Sequence, residues 1–342
     1  MTDSRLFDRL MHVAGRAQAW AESPLASRIR KAFNALLSIF ILMLLARAIA
    51  QVGWHEVVAV VPASALFWLL FVGSYLLQPF MEWFIYRHWW KFGWRALGVF
   101  LRMRVMNDAL FSYSGHTYLL VWAARRMGIQ FDPKGPKQKI FGRGDGPGID
   151  PAVNPFAAVK DMAITSGLAG NFATLVLLLL TLTMDGASIL SAALDPRTLR
   201  ILTWSFAGMI LLNLGIVAFR NRVMSLPVKE NLFAFRWHLF RVVAVQALLV
   251  GSWAVALPGI SFQNWFLLGA LRMVIMRMPI PNKEILFAAL AVSLTEGASV
   301  SVAALMAAQG ALQLVFHAVS WGVAVALETT VGEEERDARS QS

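Results

Sequence analysis

Two stretches decide how this chain folds. In the first, Trp94-Arg-Ala-Leu-Gly98 leads through Leu101-Arg-Met103 to Asn107-Asp108 and on to Gly115-His116. In the second, Trp265-Phe-Leu-Leu-Gly269 leads through Leu271-Arg-Met273 to Pro279-Ile-Pro-Asn-Lys-Glu284. Each is an apolar segment broken by polar or helix-opposing residues after a similar lead-in, once in each half of the chain. Unpaired backbone is tolerated at membrane depth only where protein or water surrounds it. Matched breaks therefore point to discontinuous helices around a shared polar site.

The composition is that of a membrane protein. With 58% apolar and 15% charged residues over 342 positions and a mean hydropathy of +0.59, the chain has too little polar surface to cover a soluble globule. Apolar runs long enough to span a bilayer lie at Ala32 to Ala50, Val57 to Trp83, Ala163 to Met184, Ile201 to Phe219, Trp237 to Leu257, Ile285 to Met306 and Ala308 to Leu327. The fold class expected is all-α and polytopic, with about seven transmembrane helices plus two re-entrant segments related by an inverted pseudo-repeat.

Residues 1–31 carry Arg5, Arg9, Arg16, Arg28, Arg30 and Lys31 ahead of the first apolar run, and no small-residue cleavage site follows it. This predicts a basic cytoplasmic segment and an uncleaved signal anchor. Residues 32–327 form the transmembrane domain and 328–342 a short acidic tail. The formal charge of +11 sits at the ends of the apolar runs, where anionic lipid headgroups are the simpler partner than nucleic acid. Zero cysteines exclude thiolate metal sites and cysteine nucleophiles.

Basic residues cluster in alternate loops: Arg87, Lys91 and Arg95; Arg125 to Lys160; and Arg220 to Arg236. The positive-inside rule places these and the amino terminus in the cytoplasm of a bacterial inner membrane. Arg95 and Arg125 then lie on one face, so the segment between them enters and returns, turning near Asn107 to His116. The Gly142-Arg-Gly-Asp-Gly-Pro-Gly148 stretch lacks the Gly-Lys-Ser/Thr ending of a phosphate-cradling loop and is expected to be a connection.

Ionisable and polar groups inside apolar segments cost about 2.5 to 3.5 kcal/mol at a helix centre and are functional candidates by default. Asn107, Asp108, Ser114 and His116 gather hydrogen-bonding groups at the first turn; the alternative is that they only cap its two half-helices. At the second, Asn282 can cap a helix whose first turn holds Glu284, or Glu284 can face a cation. Arg102 and Arg272 occupy equivalent places in the two lead-ins and are candidates for charge-assisted phosphate contacts. Glu82 and Arg241 are expected to snorkel to a cytoplasmic edge, and His317 to be a hydrogen-bonded core residue. No His, Asp or Glu cluster has metal-ligand spacing, no serine sits in a nucleophile elbow, and no cofactor motif is present.

Both broken segments resemble the two hallmark stretches of the flippase-like transmembrane domain family, whose best-known member is the membrane portion of lysylphosphatidylglycerol synthase. Asn107, the Ser114-Gly115-His116 turn and Arg125-Arg126-Met-Gly128 are similar to its first stretch; Pro279, Pro281, Glu284 and Gly297 are similar to its second. Phe111-Ser-Tyr113 stands where the family has a Leu-Pro pair, and Asn282-Lys283 where it has two glycines. The soluble aminoacyl-transferase domain of the full synthase is absent from this chain.

The resemblance implies a transport-like module that binds or translocates an amphipathic lipid; from the polar turns and the matched lead-ins, Arg102, Asn107, Asp108, Ser114, His116, Arg272, Asn282 and Glu284 are expected to contact the headgroup. The implied partner is a phospholipid or polyprenyl lipid, with room for a membrane protein partner and none for nucleic acid. Two alternatives stand beside it. One is a membrane glycosyltransferase or lipid-modifying enzyme using a polyprenyl-linked donor, for which the first outer loop offers only Glu56. The other is a non-catalytic membrane scaffold subunit.

Overall fold

In the computed structural model, the described residues are 61–109, 113–127, 154–181, 196–277 and 299–340, with isolated positions 58, 150, 152, 183, 287, 290, 291, 294 and 295. The amino-terminal segment, the Ala32 to Ala50 run, the Gly142 to Gly148 stretch, Asn282 and Glu284 lie outside them. Every regular element among the described residues is a helix.

Helix α1, Ala65–Trp90, is 26 residues long, about 39 Å at 1.5 Å per residue. It ends where Lys91 turns left-handed (φ 47°), its amide donating to the Arg87 carbonyl, with Arg87 and His88 in the last turn opposite the helix dipole. Helices α2 (Leu97–Ala109) and α3 (Ser114–Arg126) have only 13 residues each, about 20 Å, short of the roughly 30 Å hydrocarbon core. They form an antiparallel hairpin: Arg102 meets Tyr118 and Met106 meets Ser114 across it.

The hairpin crosses at Gly115, where any Cβ would overlap the Met103 carbonyl group. Only glycine lets the two backbones approach that closely. Tyr113 sits at the tip with φ 72°, and the Asn107 side chain caps the first turn of α3 from across the hairpin, Oδ1 accepting from the Gly115 amide at 2.8 Å.

Three longer helices follow, the first of them packed on the hairpin. Helix α4, Pro155–Thr181, opens on Asn154, whose Oδ1 accepts from the Ala157 amide at 3.0 Å, and has proline at its first position, where the missing N–H costs nothing. Helix α5 is Pro196–Ala218 and α6 is Val228–Ala256. Antiparallel to α1, α6 pairs Phe84 with Trp237 low in the contact and Leu70 with Gly251 high in it. Helix α7, Phe262–Ile275, starts at Ser261, whose hydroxyl accepts from the Asn264 amide. Helix α8 is Ser299–Ser340.

The two lead-ins serve the same packing purpose. Gly98 on α2 lies against Ala324 and Leu327 of α8, and Gly269 on α7 lies against Gln246 and Val250 of α6. Each break also has its own core, one around Tyr86, Phe100 and Leu119 and one around Trp253, Trp265, Ile275 and Phe287.

Among the described residues, four helices are long and apolar enough to cross a membrane: Ala65–Trp90, Pro155–Thr181, Val228–Ala256 and Val300–Leu327. Within α5 the apolar part, Phe206–Ala218, is shorter. The expected boundary between spans ending at Met306 and starting at Ala308 is absent, because α8 runs through it unbroken. A lone Gly310 costs about 1 kcal/mol in a helix. That is too little to end one anchored there by the Trp253 indole, which donates to Gln309.

Candidate functional site

The tip of the first broken segment and the end of α7, which leads into the second, open on one cavity of about 1130 Å³. Asn107, Asp108, Tyr113 and His116 come from the first tip, and Met276 and Arg277 from the end of α7. The long helices complete the wall with Lys160, Ser166 and Asn171 on α4, Asn213 on α5 and Arg241 on α6. Between these, Ile164 and Leu168 on α4 and Phe206, Met209, Leu212 and Ile216 on α5 make that side of the lining largely apolar. Beyond that side α5 presents Trp204, Leu211, Leu214 and Val217 outward, each more than 60% exposed.

Most charges in the wall are paired. Arg241 forms a buried ion pair with Glu82 and also donates to the Ser166 hydroxyl at 2.7 Å. His238 lies beside the same carboxylate, fully buried. The expected snorkelling of Glu82 and Arg241 therefore does not occur, because the facing helix supplies a counter-ion that the lipid edge would otherwise have to replace with water. Lys160 pairs with Asp161 at 3.0 Å, and Asp161 accepts from the amides of Ser225 and Leu226.

Asp108 links the cavity to a network between helices. Its carboxylate lies 3.4 Å from Arg104 and 3.7 Å from His317, and His317 shares a 2.8 Å hydrogen bond with the Tyr75 hydroxyl. Arg104 stacks over the Tyr75 ring and donates to the Tyr75 carbonyl. His317 is thus a hydrogen-bonded core residue, one contact removed from the cavity.

Arg277 is held differently. Its Nε donates to Asn171 Oδ1 at 2.9 Å and its Nη1 to the Met273 carbonyl at 3.2 Å, in the last turn of α7. Asn171 in turn donates to Asn213 Oδ1, and Asn213 to the Met209 carbonyl. Among the described residues no carboxylate lies within ion-pairing distance of Arg277.

Of the residues singled out from sequence, Asn107, Asp108 and His116 meet at the cavity. Ser114 closes the hairpin, its hydroxyl donating to the Met106 carbonyl at 2.7 Å, and Asn107 combines capping with a 3.3 Å hydrogen bond to His116. Arg102 lies away from the cavity, buried between the rings of Tyr118 and Trp321. Arg272 also lies outside the wall, in the last turn of α7. Asn171 and Asn213 escaped the sequence reading because a search for ionisable groups passes over neutral amides; an asparagine in each of two apolar runs is the signal that would have found them.

Comparison of the chain with protein-family models, with curated proteins and with solved structures gives no match.

Proposed function

We propose that this is a polytopic protein of the bacterial inner membrane, amino terminus in the cytoplasm, that binds an amphipathic lipid in the cavity and carries its headgroup between the leaflets. The observation that supports this reading is the cavity between the first break and the end of α7, lined by both polar and apolar residues. A soluble polar substrate has no use for the apolar lining, and a purely apolar one has none for three asparagines and two arginines. The short α2–α3 hairpin is re-entrant on this reading, and α7 with the helical positions after it is its counterpart from the other face. Discontinuous helices meeting near the bilayer midplane are the usual frame for alternating access. The reading agrees with the flippase-like resemblance of the two broken segments.

The experiment is lipid translocation in reconstituted vesicles, with a fluorescent lipid and an impermeant quencher. Gly167 lines the cavity, and a Cβ there meets nothing within 4 Å. Gly167→Trp should therefore fill the cavity without disturbing the helices. Translocation above the protein-free rate by wild type, lost in Gly167→Trp, is the expected result. Equal rates in wild-type and empty vesicles would remove the reading.

A further inference from the structure

We infer that the cavity contains an oxyanion subsite in which the Arg277 guanidinium holds the phosphate of a lipid headgroup, with Asn171 and Asn213 as its positioning residues. This rests on the lipid reading above and names the chemistry of the headgroup.

The charges around the cavity carry the argument. Glu82 neutralises Arg241, Asp161 neutralises Lys160, and Arg104 neutralises Asp108. Arg277 is left with one positive charge, no carboxylate among the described residues, and Arg241 as a like charge near it. A guanidinium in a low-dielectric wall favours an anion beside it, and among the described residues only neutral groups hydrogen-bond to this one.

The hydrogen bonds specify what kind of anion fits. Of the five N–H donors of a guanidinium, one goes to Asn171 and one to the Met273 carbonyl. The remaining three have no acceptor among the described residues. The bonds used run in one direction, from Arg277 to Asn171, Asn213 and the Met209 carbonyl, so each amide is locked by the next. Gly170 completes the seat: a Cβ there would collide with the guanidinium, which lies against the α4 backbone. A fixed fork with several N–H groups on offer matches the non-bridging oxygens of a phosphate. The apolar wall of Ile164, Leu168 and Met209 leaves room beside it for acyl chains.

Two variants test this without relying on one that unfolds. Arg277→Gln removes the charge. Asn171→Asp gives up the donation to Asn213 but keeps an acceptor for Arg277 Nε and supplies a carboxylate within the chain, so it fills the need for an anion while Arg277 stays in place. Wild-type protein equilibrated with equal amounts of phosphatidylglycerol and a phosphate-free diglucosyldiacylglycerol should retain the phospholipid in native mass spectra by roughly tenfold. Both variants should reduce that preference to near unity.

A second arm separates lipid phosphate from free phosphate, by thermal stabilisation of delipidated protein on adding inorganic phosphate. An Arg277-dependent response in this arm alone would overturn the lipid as source. Equal retention of the two lipids by wild type, or Arg277→Gln and Asn171→Asp both behaving like wild type, would overturn the subsite and leave Arg277 as a cap on α7. Translocation that ignores the headgroup would sink this inference and leave the lipid reading standing. Selective retention without translocation would do the reverse.

Discussion

Replacing Gly115 by alanine puts a methyl group where α2 and α3 touch backbone to backbone. The new Cβ would lie 2.7 Å from the Met103 carbonyl carbon and closer still to its oxygen, and a carbonyl inside a helix has no rotamer to escape into. The two helices must separate by on the order of 1 Å, which takes bonds of 2.7 and 2.8 Å at Ser114 and Gly115 beyond hydrogen-bonding range. Overpacking of this kind costs about 1 to 3 kcal/mol, and the two loosened bonds about 1 kcal/mol each. The sum is roughly 3 to 5 kcal/mol. Gly167→Ala is the control, since its methyl enters open space and a helical Gly→Ala change gains about 0.5 to 1 kcal/mol. Unfolding of both purified variants in one detergent should give midpoints on opposite sides of wild type. Equal midpoints would refute the close crossing of the hairpin.

Glu82→Gln should destabilise by about 3 to 5 kcal/mol, since it strands the buried Arg241 charge, and Glu82→Gln/Arg241→Gln should recover part of the loss in the same unfolding assay. Cysteines introduced at Lys91 and at Arg126, on this cysteine-free chain, should show the same protection from an impermeant thiol reagent, because the hairpin returns to the side it left. Opposite labelling would mean that the segment crosses the membrane.

The first break was legible because it is written in local chemistry. Asn107, Asp108, Ser114 and Gly115 are turn and cap residues inside an apolar run, and no lipid-facing helix would carry them. The long apolar helices were equally plain from their length. Pairings across helices were not legible. Glu82 and Arg241 lie 159 positions apart, so nothing in either neighbourhood announces the partner, and the sequence alone favours snorkelling for both. Arg102 matched Arg272 by its place in the lead-in. Its surroundings are instead two rings, one of them Trp321 on a helix far along the chain, and aromatic partners at that separation leave no periodic trace. The cavity wall was legible only at the first tip, because Asn171 and Asn213 gain meaning once α4 and α5 are seen to face Arg277.

The central claim, that a lipid occupies the cavity between the first break and the end of α7, is tested most directly by photo-crosslinking in the membrane with a phospholipid carrying a photoactivatable group near its headgroup. Peptide mapping should place the adducts on cavity residues such as Ile164, Leu168 and Met209, and Gly167→Trp should abolish them. Adducts confined to the outward residues Trp204, Leu211 and Leu214, and unchanged by Gly167→Trp, would mean that lipid only surrounds the protein and would contradict the account.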